Sequence, residues 1–165
     1  MAGMSNGLAI DPWELDGNKF RLSAGLIVFL VSFIPYYSIY FGAFFGTVYW
    51  SAWDGFLPFV SLVMTGVATI LAIVLVAAHC KQQLWHHVVY VVLYGISLLC
   101  VVMSFFVMPG SGLTRNNGSP RIGRTFGFYI YLGFALAGVI ISVRQLNAYR
   151  RMCEWIAMGQ ADRAR

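Results

Sequence analysis

Three histidines and a cysteine crowd the segment Ala78-His79-Cys80-Lys81-Gln82-Gln83-Leu84-Trp85-His86-His87. Imidazole nitrogen and thiolate sulfur are zinc ligands, and a zinc site takes about four of them in tetrahedral array. The segment offers only four candidates, and His86 and His87 diverge by about 100° once a helix has begun. The reading is of polar histidines at a membrane face, with a pH-sensitive loop as the alternative. Asp54 comes next, the one charge between Arg21 and Lys81. It is placed to cap the helix that follows; the competing role is binding a cation or substrate. Combining Asp54 with the arginines at 115, 121 and 124, or the histidines with Glu154, yields no nucleophile–base pair and too few metal ligands. The expectation is a protein that is not an enzyme and has no cofactor and no metal.

The elements that hold these residues follow from composition. Of 165 residues, 59% are hydrophobic and only 10% are charged. Soluble domains carry roughly 25% charged residues, so the natural solvent of this surface is a bilayer. Charged residues are missing from 22–53, 55–80, 82–114 and 125–143. A helix crossing the hydrocarbon needs about 20 residues, and backbone groups in lipid must be paired within the segment. The expected fold class is an all-α membrane protein with four transmembrane helices, near 20–40, 56–79, 87–108 and 125–144. Residues 1–19 form a tail, 20–144 the four-helix domain, and 145–165 an amphipathic basic helix and tail. Cys80, Cys100 and Cys153 are an odd number with no close pair, which argues against a disulfide framework.

Basic residues orient the spans. With both termini in the cytoplasm, Lys19, Arg21, Lys81, Arg144, Arg150, Arg151, Arg163 and Arg165 face inward, against Arg115, Arg121 and Arg124 outside. That asymmetry favours both termini inside. The net charge of +5 then reports topology and contact with anionic lipids rather than nucleic acid. In the tail, Asp11, Pro12 and Glu14 suit the start of a short helical turn that Gly17 can end.

Pro35 ends the first span. Beyond it, Tyr36, Tyr37, Tyr40, Tyr49, Trp50 and Trp53 read as an aromatic belt at headgroup level. Segments 38–41 and 47–51 can pair as short strands, with Gly42 and Gly46 in the turn. The pattern Phe33-Ile34-Pro35-Tyr36-Tyr37-Ser38, a Gly/aromatic stretch, then Ser51-Ala52-Trp53-Asp54-Gly55-Phe56-Leu57 resembles small four-span membrane proteins common in actinobacteria. The similarity is best over about residues 25–75. Ile-Pro-Tyr stands where that pattern usually has Leu-Pro-Trp. The resemblance implies a four-span fold and a bacterial plasma-membrane location, and carries no activity.

Three further surfaces invite contacts. The loop with Arg115, Arg121 and Arg124 can meet lipid phosphates or an acidic partner. In the fourth span, Gly133 and Ala137 are four apart, as are Gly138 and Ser142, a spacing that lets helices approach closely. After it, Leu146, Tyr149, Met152, Cys153 and Ile156 share one face, with Arg144, Arg150 and Arg151 on the other. Such a helix suits the cytoplasmic headgroup layer or an acidic partner. With Trp50, Trp53 and Asp54, these are the candidate lipid or partner contacts. The functional expectation is a non-catalytic subunit or scaffold that stabilises a larger plasma-membrane assembly, respiratory or cell-envelope, through contacts with lipid and other membrane subunits. The alternative is a small homo-oligomeric channel or transporter-like protein, which ordinarily needs ionisable or broken-helix elements at mid-membrane.

Overall fold

The computed structural model describes residues 12–41, 46–78, 83–107 and 121–163. Arg115, Lys81, His79, Cys80, Asp11, Gly42 and Arg165 lie outside them. Four helices and three short strands follow in the order α1 (Pro12–Val31), β1 (Tyr37–Tyr40), β2 (Thr47–Trp50), α2 (Phe56–Ala77), α3 (Leu84–Phe106), β3 (Arg121–Arg124) and α4 (Phe126–Arg163). Among the described residues three helices are long and apolar enough to cross a membrane: α2, α3 and α4 over Phe126–Trp155. These are three of the four spans expected from the charge-free runs; α1 is not among them. Helix α1 is shorter in apolar content, because Asn18, Lys19 and Arg21 sit in its first half.

Several boundaries differ from the sequence reading. Proline 12 opens α1, where its missing N–H costs nothing, but Gly17 does not end it. A Cβ at Gly17 would overlap the Gln145 side chain, so the glycine is there for close approach to α4. The helix ends at Val31, not near 40, and residues 37–40 are a strand. The cause is Pro35, which lacks a donor and bars helical geometry at Ile34. Ser32 N–H to Val28 O (2.9 Å) and Ile34 N–H to Val31 O (2.9 Å) close the last turns. At the other end of the chain the expected continuation is present: α4 is a single helix of 38 residues that runs on past 144.

The hairpin forms, in the register Tyr37↔Trp50 to Tyr40↔Thr47, with Gly46 at φ 67° in its turn. A third strand, absent from the sequence reading, joins it: β3 pairs with β1, Tyr37↔Arg124 to Tyr40↔Arg121. The order is β2-β1-β3. This sheet covers one end of a ring of helices in which α1 and α3 each pack on both α2 and α4. Exposed Leu26 and Leu30, Val67 and Ile70, Val92 and Leu99, and Leu136 and Ile140 give all four helices an apolar outer face.

Inside, the core has two layers. Near the sheet lie Val28, Val31, Tyr36, Tyr37, Leu62, Val101, Phe128 and Tyr131. Toward the far end lie Ala68, Ala72, Leu75, Tyr90 and Tyr94. Tyr36 and Tyr37 are 0% and 2% exposed, so they belong to the core rather than to a headgroup belt. Tyr36 meets Tyr37, Phe128 and Tyr131 edge to face at 4.9, 5.3 and 5.5 Å. The belt keeps Tyr40, Tyr49 and Trp53, all exposed.

Candidate functional site beside a buried arginine

Every fourth or third residue of α1 faces inward: Gly17, Arg21, Ala24, Val28 and Val31. The stripe puts a guanidinium into the bundle, and Arg21 is 0% exposed. Burying a charge is costly unless it is paired and hydrogen-bonded. Here Nη1 donates to Asn18 Oδ1 at 2.9 Å and Nη2 donates to Gln145 Oε1 on α4. The guanidinium carbon also stands 3.5 Å from the centre of the Tyr90 ring on α3, the face-on geometry in which a cation is attracted to a π-system. Thr69 of α2 donates to the Arg21 carbonyl at 3.2 Å. One residue of α1 thus touches all three other helices.

More polar groups share this layer. His87 is 1% exposed and lies 5.1 Å from the Tyr149 ring. Tyr94 packs on Gly138, where any Cβ would overlap its ring, and Ser142, one turn further along α4, is buried. The inward stripe of α4 is Phe128, Tyr131, Ala135, Gly138, Ser142 and Gln145, again spaced by three and four. The arrangement can bind and hold, through its donors and the charge of Arg21.

The residues singled out in the sequence are dispersed. His86 and His87 point apart, as expected: the Gln83 N–H donates to His86 Nδ1 at 2.9 Å, closing a capping box at the start of α3. Asp54 does not cap α2. That position is Gly55, with no side-chain cap, and Asp54 Oδ2 instead accepts from Ser51 N–H (2.7 Å) and Oγ (2.8 Å). The reason is chain direction: the tight turn at 51–54 folds the carboxylate back toward Ser51. Trp53 donates its indole N–H to Ser32 at 2.9 Å, and Trp50 is half-buried at the end of β2. Arg124 folds over Phe105, 3.6 Å from the ring centre, and donates to the Phe105 carbonyl at 2.7 Å. Arg121 is placed by its pairing to Tyr40.

The four small residues of α4 are two faces, not one. At about 100° per residue, Gly133 and Ala137 share one side, while Gly138 and Ser142 lie roughly opposite. Gly133 is open and Gly138 is spent inside the chain. Arg144, Arg150 and Arg151 are exposed.

At the sheet end, burial holds the Tyr36 hydroxyl well above its ordinary range, with the Ser104 contact opposing. Burial also pushes Tyr37 up, against the hydrogen bond with Ser104 and the charge of Arg124. Tyr37 donates to the Ser104 carbonyl at 2.7 Å. No protein-family model matches this chain, and no curated protein matches it.

Arg21 is the residue that sequence reasoning assigned only to topology. Its signal was present: it falls on the same three–four stripe as Ala24, Val28 and Val31.

Proposed function

We propose that this protein is a non-catalytic integral subunit or scaffold of a bacterial plasma membrane, with four spans and both termini in the cytoplasm, that stabilises a larger assembly. The observation that carries this reading is the overhang of α4. The helix has 38 residues, about 57 Å at 1.5 Å per residue, against a hydrocarbon layer of about 30 Å. Beyond the turn of Tyr149, Arg150, Arg151, Met152, Cys153, Glu154 and Trp155 are all exposed, and so is Met158. Trp155 is 74% exposed. A projecting helix with exposed Met and Trp beside arginines suits a partner.

The apolar outer face of α1, with Leu26 and Leu30, supports α1 as the fourth span, and Arg21 turns inward rather than toward lipid. Placement among the actinobacterial four-span proteins that the hairpin resembles, and a respiratory or cell-envelope host, belong to the same proposal. The transporter-like alternative draws on one observation, the buried Arg21, since ionisable groups inside spans often mark pathways. Its bonds to Asn18 and Gln145 favour a tether between helices.

Co-purification in mild detergent, with crosslinking in cells, tests the subunit reading. Wild type should bring down a larger complex, and Trp155→Glu should release it while the protein stays folded. A wild type that runs as a lone monomer in several mild detergents, with no crosslinked partner, refutes it.

A further inference from the structure

The layer of Arg21 holds three hydroxyls that the fold does not satisfy. Tyr90, Tyr94 and Ser142 are 0%, 1% and 1% exposed, and among the described residues none of their oxygens meets a hydrogen-bond partner. Hydroxyls elsewhere in the bundle do. Ser61 and Ser97 meet at 2.7 Å, Ser104 donates to Val101 O at 2.7 Å, and Tyr131 donates to Val28 O at 3.2 Å. Buried polar groups in stable proteins are nearly always paired, with protein or with ordered water, so three exceptions in one layer point to an occupant.

The three belong together by position. The Tyr94 ring rests on Gly138, and Ser142 is the next turn of α4 away from the sheet. Side chains on a helix lean toward its N-terminus, which for α3 is the same direction. The Tyr94 hydroxyl therefore leans toward the turn of Ser142. Tyr90, one turn earlier on α3, lies beneath the Arg21 guanidinium, which bonds Gln145, the next inward position after Ser142.

We propose that Tyr90, Tyr94 and Ser142 form an internal hydration site between α3 and α4, in which bound water bridges the three hydroxyls beside Arg21. The chemistry selects water. Each hydroxyl both donates and accepts, and a buried water commonly makes about three hydrogen bonds of both kinds. A cation is repelled by the guanidinium; an anion, which would accept from all three hydroxyls, is the outcome that the salt dependence below separates from water. The site gives the buried charge of α1 a polarisable neighbour and couples α3 to α4 through a replaceable molecule.

Water-edited solid-state NMR on the wild-type protein, in bilayers with deuterated acyl chains, tests the site without any substitution. Magnetisation from water should reach the Tyr90 and Tyr94 rings several-fold faster than the Tyr131 ring, which is equally buried but bonded to Val28 O. Equal, slow transfer to all three overturns the proposal. Stability gives a second reading, by sign. Tyr94→Phe and Ser142→Ala should each lower Tm by about 2–4 °C, and together by less than the sum, because they share the bridging water. If either raises Tm, the hydroxyls were bare and the proposal fails. If Tm of wild type but not of Ser142→Ala follows the identity of the added anion, the occupant is an anion and not water.

Discussion

Asp54 shows how one carboxylate is claimed by its nearest donors. Its Oδ2 accepts from both the backbone and the hydroxyl of Ser51, which fixes the turn that aims Trp53 at Ser32. Both bonds are exposed, so each contributes at the low end of the usual range. Asp54→Ala should cost about 1 kcal/mol, and Asp54→Asn less, because an amide oxygen still accepts. Thermal unfolding in detergent measures both. If Asp54→Asn abolishes assembly while stability is unchanged, the charge itself has a role beyond the turn. Arg21 makes the same point from inside the bundle, since its planar fork serves Asn18, Gln145 and the Tyr90 face at once. Arg21→Lys should cost about 1–3 kcal/mol, because an ammonium cannot bond both amides and also stack. Loss of less than a few tenths in the same assay would show that the contacts carry little.

At the scale of elements, α4 divides its glycines between two jobs. Gly138 lies against Tyr94 and Gly133 is open. Gly138→Leu should therefore destabilise the fold by about 1–3 kcal/mol through overpacking, whereas Gly133→Leu should leave Tm unchanged. If Gly133→Leu also lowers recovery of a partner complex, that face is a contact. The opposite result for stability would mean that the α3–α4 seam lies elsewhere. The sheet carries a pH dependence. Burial raises the Tyr36 and Tyr37 hydroxyls above the ordinary value of 10.0. The stability that comes with keeping them neutral is fully present below pH 10 and is lost as pH rises above it. The sheet end should open in alkali, and Tyr36→Phe should reduce that alkaline loss. Near-ultraviolet circular dichroism against pH follows this directly.

For the whole molecule, topology is the prediction that other readings depend on. Both termini are proposed to be cytoplasmic, and the native thiols can report it. Cys100 is buried and Cys153 is exposed on the α4 overhang. In a Cys80→Ser background, an impermeant maleimide should leave Cys153 unlabelled in intact cells and label it once the membrane is opened. Labelling from outside intact cells reverses the orientation, and with it the cytoplasmic partner assigned to the overhang.

The charge-free runs determined where α2, α3 and α4 lie along the chain, because an uncharged apolar run of about 20 residues is a helix long enough to cross lipid. Pro35 and the glycines similarly announced a hairpin, since proline ends a helix by local sterics alone. Tertiary structure decided the rest. That Tyr36 and Tyr37 are core while Tyr40 and Tyr49 are surface depends on which strand face meets Phe128 and Tyr131. That residues 121–124 form a strand depends on β1 offering an open edge, a pairing between positions more than eighty residues apart. That Asp54 serves Ser51 and not α2 depends on the path of one turn. Arg21 is the sharpest case. As a residue type it is a topology signal, and only its place on the α1 stripe, opposite Gln145 and over the Tyr90 ring, makes it a buried junction. Local rules act over a few residues and are written in the sequence; pairing of distant donors and rings is set by packing, which the sequence encodes only collectively.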